Sequence, residues 1–280
     1  MWKAFKAQLA RWLGLSSEVA LPEWQASWSQ FLSQHVAFYR HLSLDDQRLF
    51  EQRCLLFLAT TPVIGGVAVD VTDDDRLLVA ASAVIPVWGF PHWHYVNLKG
   101  VFLLPSRFNE HFECGGPDAL ISGMVGTGPM AGKMALSKPD LHLGFNNDRD
   151  KHNVGIHEFV HLVDMADGAC DGFPERLSEF AVSLPWLSFV QQKIREVELN
   201  NSNIRDYAAT NSAEFFAVAS EYFFERPKML QQKHPKLYQY LTDFYQQNMA
   251  EMQSDLQPFK NSPCPCGSGK KYKRCCMKKA

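Results

Sequence analysis

His157 and His161 stand four residues apart, with Glu158 beside the first of them. On a helix this spacing puts both imidazoles on one face, close enough to chelate a single cation. Glu158 is then placed to reach a water activated by that cation and to take its proton as a general base. The chemistry these residue types point to is metal-assisted hydrolysis.

The pattern is the HExxH signature of zinc peptidases. A hydrolytic zinc takes three protein ligands and keeps a fourth position open. No histidine follows His161 until His234, so the extended HExxHxxGxxH pattern is absent and a carboxylate has to supply the third ligand. Glu214 and Glu221 are the candidates. Both lie on roughly one face of a helical stretch, and Ala217 and Val218 between them allow a second helix to approach closely. By spacing alone either glutamate could point at the metal. Asn211, three residues before Glu214, also makes a capping-box arrangement in which that glutamate would serve only the backbone. Tyr207 could bring a phenol to an oxyanion, or simply pack in the loop before the helix.

The surroundings of His157 read as a mostly buried helix. Asp148 or Asp150 can cap its start, Ile156, Phe159, Val160 and Val163 form an apolar flank, and Gly168 suits the stop. The one polar face carries His157, His161 and Asp164.

HEFVHLVD at His157–Asp164, preceded by Asn153, and DYAATNSAEFFAVASEYFF at residues 206–224 resemble the Mlc titration factor A family over roughly residues 20–250. The resemblance implies a glucose-regulated zinc metallopeptidase whose catalytic core is related to the anthrax lethal factor protease domain. It implies His157, His161 and Glu214 as zinc ligands, Glu158 as base and Tyr207 as oxyanion partner, with Glu221 supporting the ligands from behind. It further implies aminopeptidase-like cleavage of short peptides. Binding of the repressor Mlc by at least one member supplies the alternative, a regulator-sequestering protein with weak or latent peptidase activity.

A second signal closes the chain. Cys264-x-Cys266, eight residues, then Cys275-Cys276 supply four thiolates, enough for a closed tetrahedral zinc site, and Gly267 and Gly269 permit the reversal between the pairs. This segment resembles the SEC-C motif at the tail of the SecA translocase, which implies a structural zinc and docking to a partner, since the SecA tail binds the SecB chaperone and ribosomes. So small a knuckle has no hydrophobic core, and the metal has to supply nearly all its folding energy. Residues 260–280 hold seven lysines and arginines and no acid, which leaves 21 basic against 30 acidic residues elsewhere. A basic knuckle on an acidic body suits an acidic protein surface or ribosomal RNA.

At 46% hydrophobic residues the chain can bury a sizeable core, read as one domain over residues 1–258 followed by the tail at 259–280, with a linker from Pro258 to Pro263. No apolar run approaches a membrane span, and the first residues lack a signal-peptide pattern. Cys54, Cys114 and Cys170 lack pairing spacing and read as reduced thiols of a cytoplasmic protein. Residues 1–14 form an amphipathic stretch that docks on its own domain or lies on a membrane surface. Helices are expected over residues 23–57 (with a start at Leu44 after Ser43), from Thr72 to Val87, and over 234–250. Strands are expected over Asn97–Pro105 and within 119–137, with Gly132–Ser137 as the edge along which peptide substrate pairs. The result is an α+β, mainly helical zincin-type domain with a small sheet bordering the HExxH helix, plus the C-terminal zinc knuckle.

Overall fold

Ser43 and Thr72 each start a helix by the same device. The Ser43 hydroxyl accepts the Asp46 N–H, and Thr72 and Asp75 form a reciprocal capping box, with Asp73, Asp74 and Asp75 complementing the helix dipole. The computed structural model describes residues 23–126, 130–146, 151–174, 183–252, 268–271 and 274. Their helices and strands run, in chain order, α1 (Ala26–His35), α2 (Ala37–Arg40), α3 (Leu44–Thr60), β1 (Val63–Gly65), α4 (Asp73–Val84), β2 (Gly100–Leu104), β3 (Gly123–Val125), β4 (Lys133–Ser137), α5 (Lys138–Asn146), α6 (Val154–Asp164), α7 (Ser183–Glu198), α8 (Ser212–Glu225), α9 (Pro227–Lys233), α10 (Pro235–Tyr245) and α11 (Met249–Met252). Short 3-10 turns at Met165–Asp167 and Asp206–Ala209 flank α7 on the two sides. The architecture is mainly helical with one small mixed sheet, the α+β arrangement expected.

The sheet has the order β1-β2-β4-β3, with β1, β2 and β4 parallel and β3 antiparallel to β4. This corrects the expected edge. Gly132–Ser137 falls almost entirely in β4, which is hydrogen-bonded on both sides, and its Met134, Ala135 and Leu136 are buried. The free edge on that side is the short β3, against which α6 packs. Two helix boundaries also differ. Helix α4 stops at Val84 rather than Val87, because the chain turns there and the Arg53 guanidinium donates to the carbonyls of Val87, Trp88 and Phe90. The stretch 234–250 breaks at Gln246, which takes φ 51° between α10 and α11.

Helix α4 is buried along most of its length and forms the floor on which α6 lies. Gly155 makes that close crossing possible, since a Cβ there would stand 2.1 Å from the Ser82 hydroxyl. Helix α8 also packs on α6, and its Phe215, Phe216, Val218 and Ala219 are all buried. Asp75, at the head of α4, ties it to α5. Its carboxylate accepts the Thr72 N–H at 2.7 Å, Lys138 at 2.8 Å and His142 at 2.7 Å. Burial works against the Asp75 anion, but His142, Lys138 and Thr72 outweigh it and bring the pKa from 3.8 down to about 2. A depressed folded-state pKa stabilises the fold above the unfolded value, and the contribution is lost as pH falls through the folded one. Asp75→Asn is therefore expected to lower stability by about 2 kcal/mol at neutral pH, with the gap to wild type closing between about pH 4 and pH 2. Denaturant midpoints across that range check it; a gap that ignores pH would deny the charge any role.

No helix among the described residues is long and apolar enough to cross a membrane. Cys264, Cys266, Cys275 and Cys276, the amphipathic residues 1–14, the linker 258–263, and Asp148 and Asp150 lie outside the described residues.

Candidate metal centre

Helix α6 carries the motif. Its cap is Asn153, whose side chain accepts the Ile156 N–H at 3.0 Å, so the expected aspartate cap gives way to the asparagine next to the first turn. The helix runs into the 3-10 turn, and Gly168 at φ 104° closes it, as expected. His157, Glu158 and His161 are all buried, on the face turned toward α8 and β3.

Helix α8 starts at its own asparagine cap. Asn211 accepts the Glu214 N–H at 2.9 Å, which satisfies the backbone and leaves the Glu214 carboxylate free to face α6. It does not complete a capping box; it stands 3.1 Å from His157 Nε2 and 3.5 Å from His161 Nε2. The two Nε2 atoms are themselves 3.1 Å apart. These three separations describe a near-equilateral triangle, and a tetrahedron with metal–ligand bonds of about 2.0 Å has edges of roughly 3.3 Å. The donor set, two imidazoles and a carboxylate, is one that zinc takes. Its electrostatics also call for a cation. Burial disfavours a charged His157, yet Glu221 and Glu214 raise its pKa to about 10. Burial likewise works against ionised Glu214, but the two imidazoles hold it below the usual carboxylate range. The residues present fit a zinc ion.

Glu221 is fully buried two turns further along α8. One oxygen accepts His157 Nδ1–H at 2.8 Å and the Arg205 guanidinium, and the other accepts the Asn153 N–H at 2.6 Å. The carboxylate thus orients a metal ligand and also secures the start of α6. Burial pushes its pKa up, but His157 and Arg205 win and lower it. Arg205 is a participant that the sequence did not reveal.

The Glu158 side chain lies against β3 at Gly123. Gly123 is the residue that lets the strand come so near, since a Cβ there would meet Glu158 Oε1 at 2.7 Å and Val154 Cγ2 at 2.6 Å. Burial, reinforced by Glu214 and Glu221 and opposed by the imidazoles, raises the Glu158 pKa, a shift expected of a carboxylate poised for proton transfer. Tyr207 sits on the 3-10 turn before α8, half-exposed, with its ring centroid 6.0 Å from that of His157. Burial, then Glu214 and Glu158, push its pKa to about 12, so the phenol stays a donor at neutral pH.

The site thus brings together His157, Glu158, His161, Glu214 and Tyr207, drawn from two helices and the turn between α7 and α8. Residues 12–246 match the family described as glucose-regulated metallo-peptidase M90. The chain belongs to that family. Residues 261–278 of this M90 chain match the SEC-C motif. An uncharacterized protein of Synechocystis, slr2042, is 32% identical over 237 residues, covering 80% of the chain and 83% of the relative. Mlc titration factor A of Serratia proteamaculans is 32% identical over 160 residues, 51% of the chain and 59% of the relative. Mlc titration factor A of Yersinia pestis is 34% identical over 126 residues, 42% of the chain and 45% of the relative. The chain spans about half the length of these titration factors. Both resemblances read from the motifs, to the Mlc titration factor A family and to SEC-C, are borne out.

Proposed function

We propose that this M90 chain is a zinc-dependent peptidase of zincin type that removes residues from the amino end of short peptides in the cytoplasm. The observation that carries the reading is the triangle of His157 Nε2, His161 Nε2 and a Glu214 carboxylate oxygen, with sides of 3.1, 3.1 and 3.5 Å, beside a buried glutamate. His157, His161 and Glu214 would hold the zinc ion, which would supply a Lewis acid to acidify the attacking water and polarise the scissile carbonyl. Glu158 takes the proton of that water and later returns it to the leaving amine. Tyr207 donates its phenol to the developing oxyanion. The edge of β3, alongside Glu158, gives an extended peptide backbone a strand to pair with. Residues 1–258 form the peptidase unit, and residues 259–280 hold a second, structural zinc through Cys264, Cys266, Cys275 and Cys276 and dock on an acidic protein or the ribosome.

A panel of short peptides with free and acetylated N-termini tests the reaction. Cleavage is expected for the free peptides, absent for the acetylated ones, abolished by a chelator and restored by zinc. Equal cleavage of both sets would make the enzyme an endopeptidase. Tyr207→Phe is expected to lower kcat about 10²- to 10³-fold with KM little changed, the cost of removing one oxyanion donor. An unchanged kcat would remove Tyr207 from the reaction.

A second reading has its own support in the names of the relatives, which are called Mlc titration factors. In it the chain sequesters a transcriptional repressor, and peptidase activity is weak or latent. No cleavage of any peptide by zinc-loaded protein would favour this reading.

A further inference from the structure

When an imidazole binds a metal through one nitrogen, the acceptor on its other nitrogen fixes the tautomer and ring orientation. For His157 that acceptor is Glu221. His161 has no carboxylate or carbonyl in this place among the described residues. Its Nδ1 faces the sulfur of Cys170, 3.7 Å away. The left-handed turn at Gly168 folds the chain back and returns Cys170 to the end of α6, so that the residue is at the surface while its thiol lies against the histidine.

Asp164 completes the group. It is fully buried, three residues after His161 on the same helix face. Its Oδ2 accepts the Gly172 N–H at 2.8 Å, and its buried Oδ1 has no hydrogen-bond partner, which leaves the carboxylate with room for a donor. One ligand atom from each of His161, Asp164 and Cys170 lies within 4.8 Å of the other two. Those three residue types could themselves hold a cation. His161 is already committed through Nε2 to the triangle with His157 and Glu214, and a neutral imidazole coordinated there keeps its Nδ1 proton. The group therefore supports a ligand.

We propose that Cys170 and Asp164 are positioning residues for the metal centre: Asp164 accepts the Cys170 thiol proton, and the sulfur accepts the His161 Nδ1 proton, which presents Nε2 to the zinc. This rests on the reading of His157, His161 and Glu214 as the zinc site. Sulfur is a weaker acceptor than a carboxylate, so the two imidazoles are held unequally. Glu221 holds His157 firmly, and His161 is the ligand that releases first. A surface thiol then controls how long the metal stays.

Zinc retention tests the assignment. Full-length wild type, Cys170→Ala, Cys170→Ser and Asp164→Asn are loaded with zinc and titrated with a chelator, and zinc per chain is read by elemental mass spectrometry. His157→Ala gives the share held by the tail. Cys170→Ala and Asp164→Asn are expected to surrender the core zinc at roughly 10- to 100-fold lower chelator concentration. Cys170→Ser, which keeps a donor and acceptor on the same carbon, is expected to recover part of the loss. Cys170 is a surface residue, so Cys170→Ala keeps its melting temperature, which separates this role from a structural one. Core zinc held by Cys170→Ala as tightly as by wild type would overturn the proposal. Wild type that holds no more zinc than His157→Ala would sink the zinc site itself, and the positioning role with it.

Discussion

Glu158→Gln is expected to keep its zinc and lose turnover by about 10²- to 10⁴-fold, the range general-base catalysis supplies. The substitution is nearly isosteric, which matters here because Gly123 leaves no room beside Oε1 for a larger or displaced group. None of the three proposed ligand atoms belongs to Glu158, so zinc content should not change. What changes is the capacity to take a proton. The raised pKa of Glu158, caused first by its burial, fits a carboxylate that must accept a proton and give it back. Loss of kcat with unchanged zinc per chain is the expected pair of readings. Full activity in Glu158→Gln would mean that the base lies elsewhere and that the hydrolytic mechanism is wrong. His157→Ala should lose zinc and activity together, which separates the ligand from the base.

The sequence made this centre legible where its logic is local. His157, Glu158 and His161 lie within one turn of helix, and period and residue type suffice to place them on one face. The choice between Glu214 and Glu221 is different in kind. The two glutamates are seven residues apart, two turns on one face, and spacing treats them alike. In the folded protein they approach the same imidazole from its two nitrogens, Glu214 at Nε2 and Glu221 at Nδ1. That distinction depends on how α8 crosses α6, which no local pattern encodes. Arg205 escaped for the same reason, since its partner lies sixteen residues away and nothing near it in sequence hints at a buried carboxylate. The edge strand was misplaced because alternation identifies a strand without naming its neighbours, and β3 spans only three residues. Asn153 caps α6 although Asp148 and Asp150 offer the same chemistry, because only the folded chain shows which of them stands next to the first turn.

Glu221→Ala is expected to be the most destabilising single change at the site, about 3–5 kcal/mol, because it leaves a partly buried guanidinium without its anion. The Asn153 N–H would lose its acceptor at the same stroke, which exposes the first turn of α6, and His157 would lose the group that orients it. Zinc affinity should fall roughly 10- to 100-fold as a result, even though Glu221 is not among the three proposed ligands. The stability loss belongs to the broken pair more than to the carboxylate itself, and a double mutant separates the two. Arg205→Ala with Glu221→Ala removes both charges, so its destabilisation should be clearly less than the sum of the two single changes. Zinc affinity should not recover in the double mutant, since His157 Nδ1 still has no acceptor. Urea midpoints and chelator titrations on the same four proteins supply both readings. If the stability losses simply add, Arg205 and Glu221 act independently; if affinity returns with stability, the lost zinc reflected only a loosened fold, and Glu221 does not orient His157.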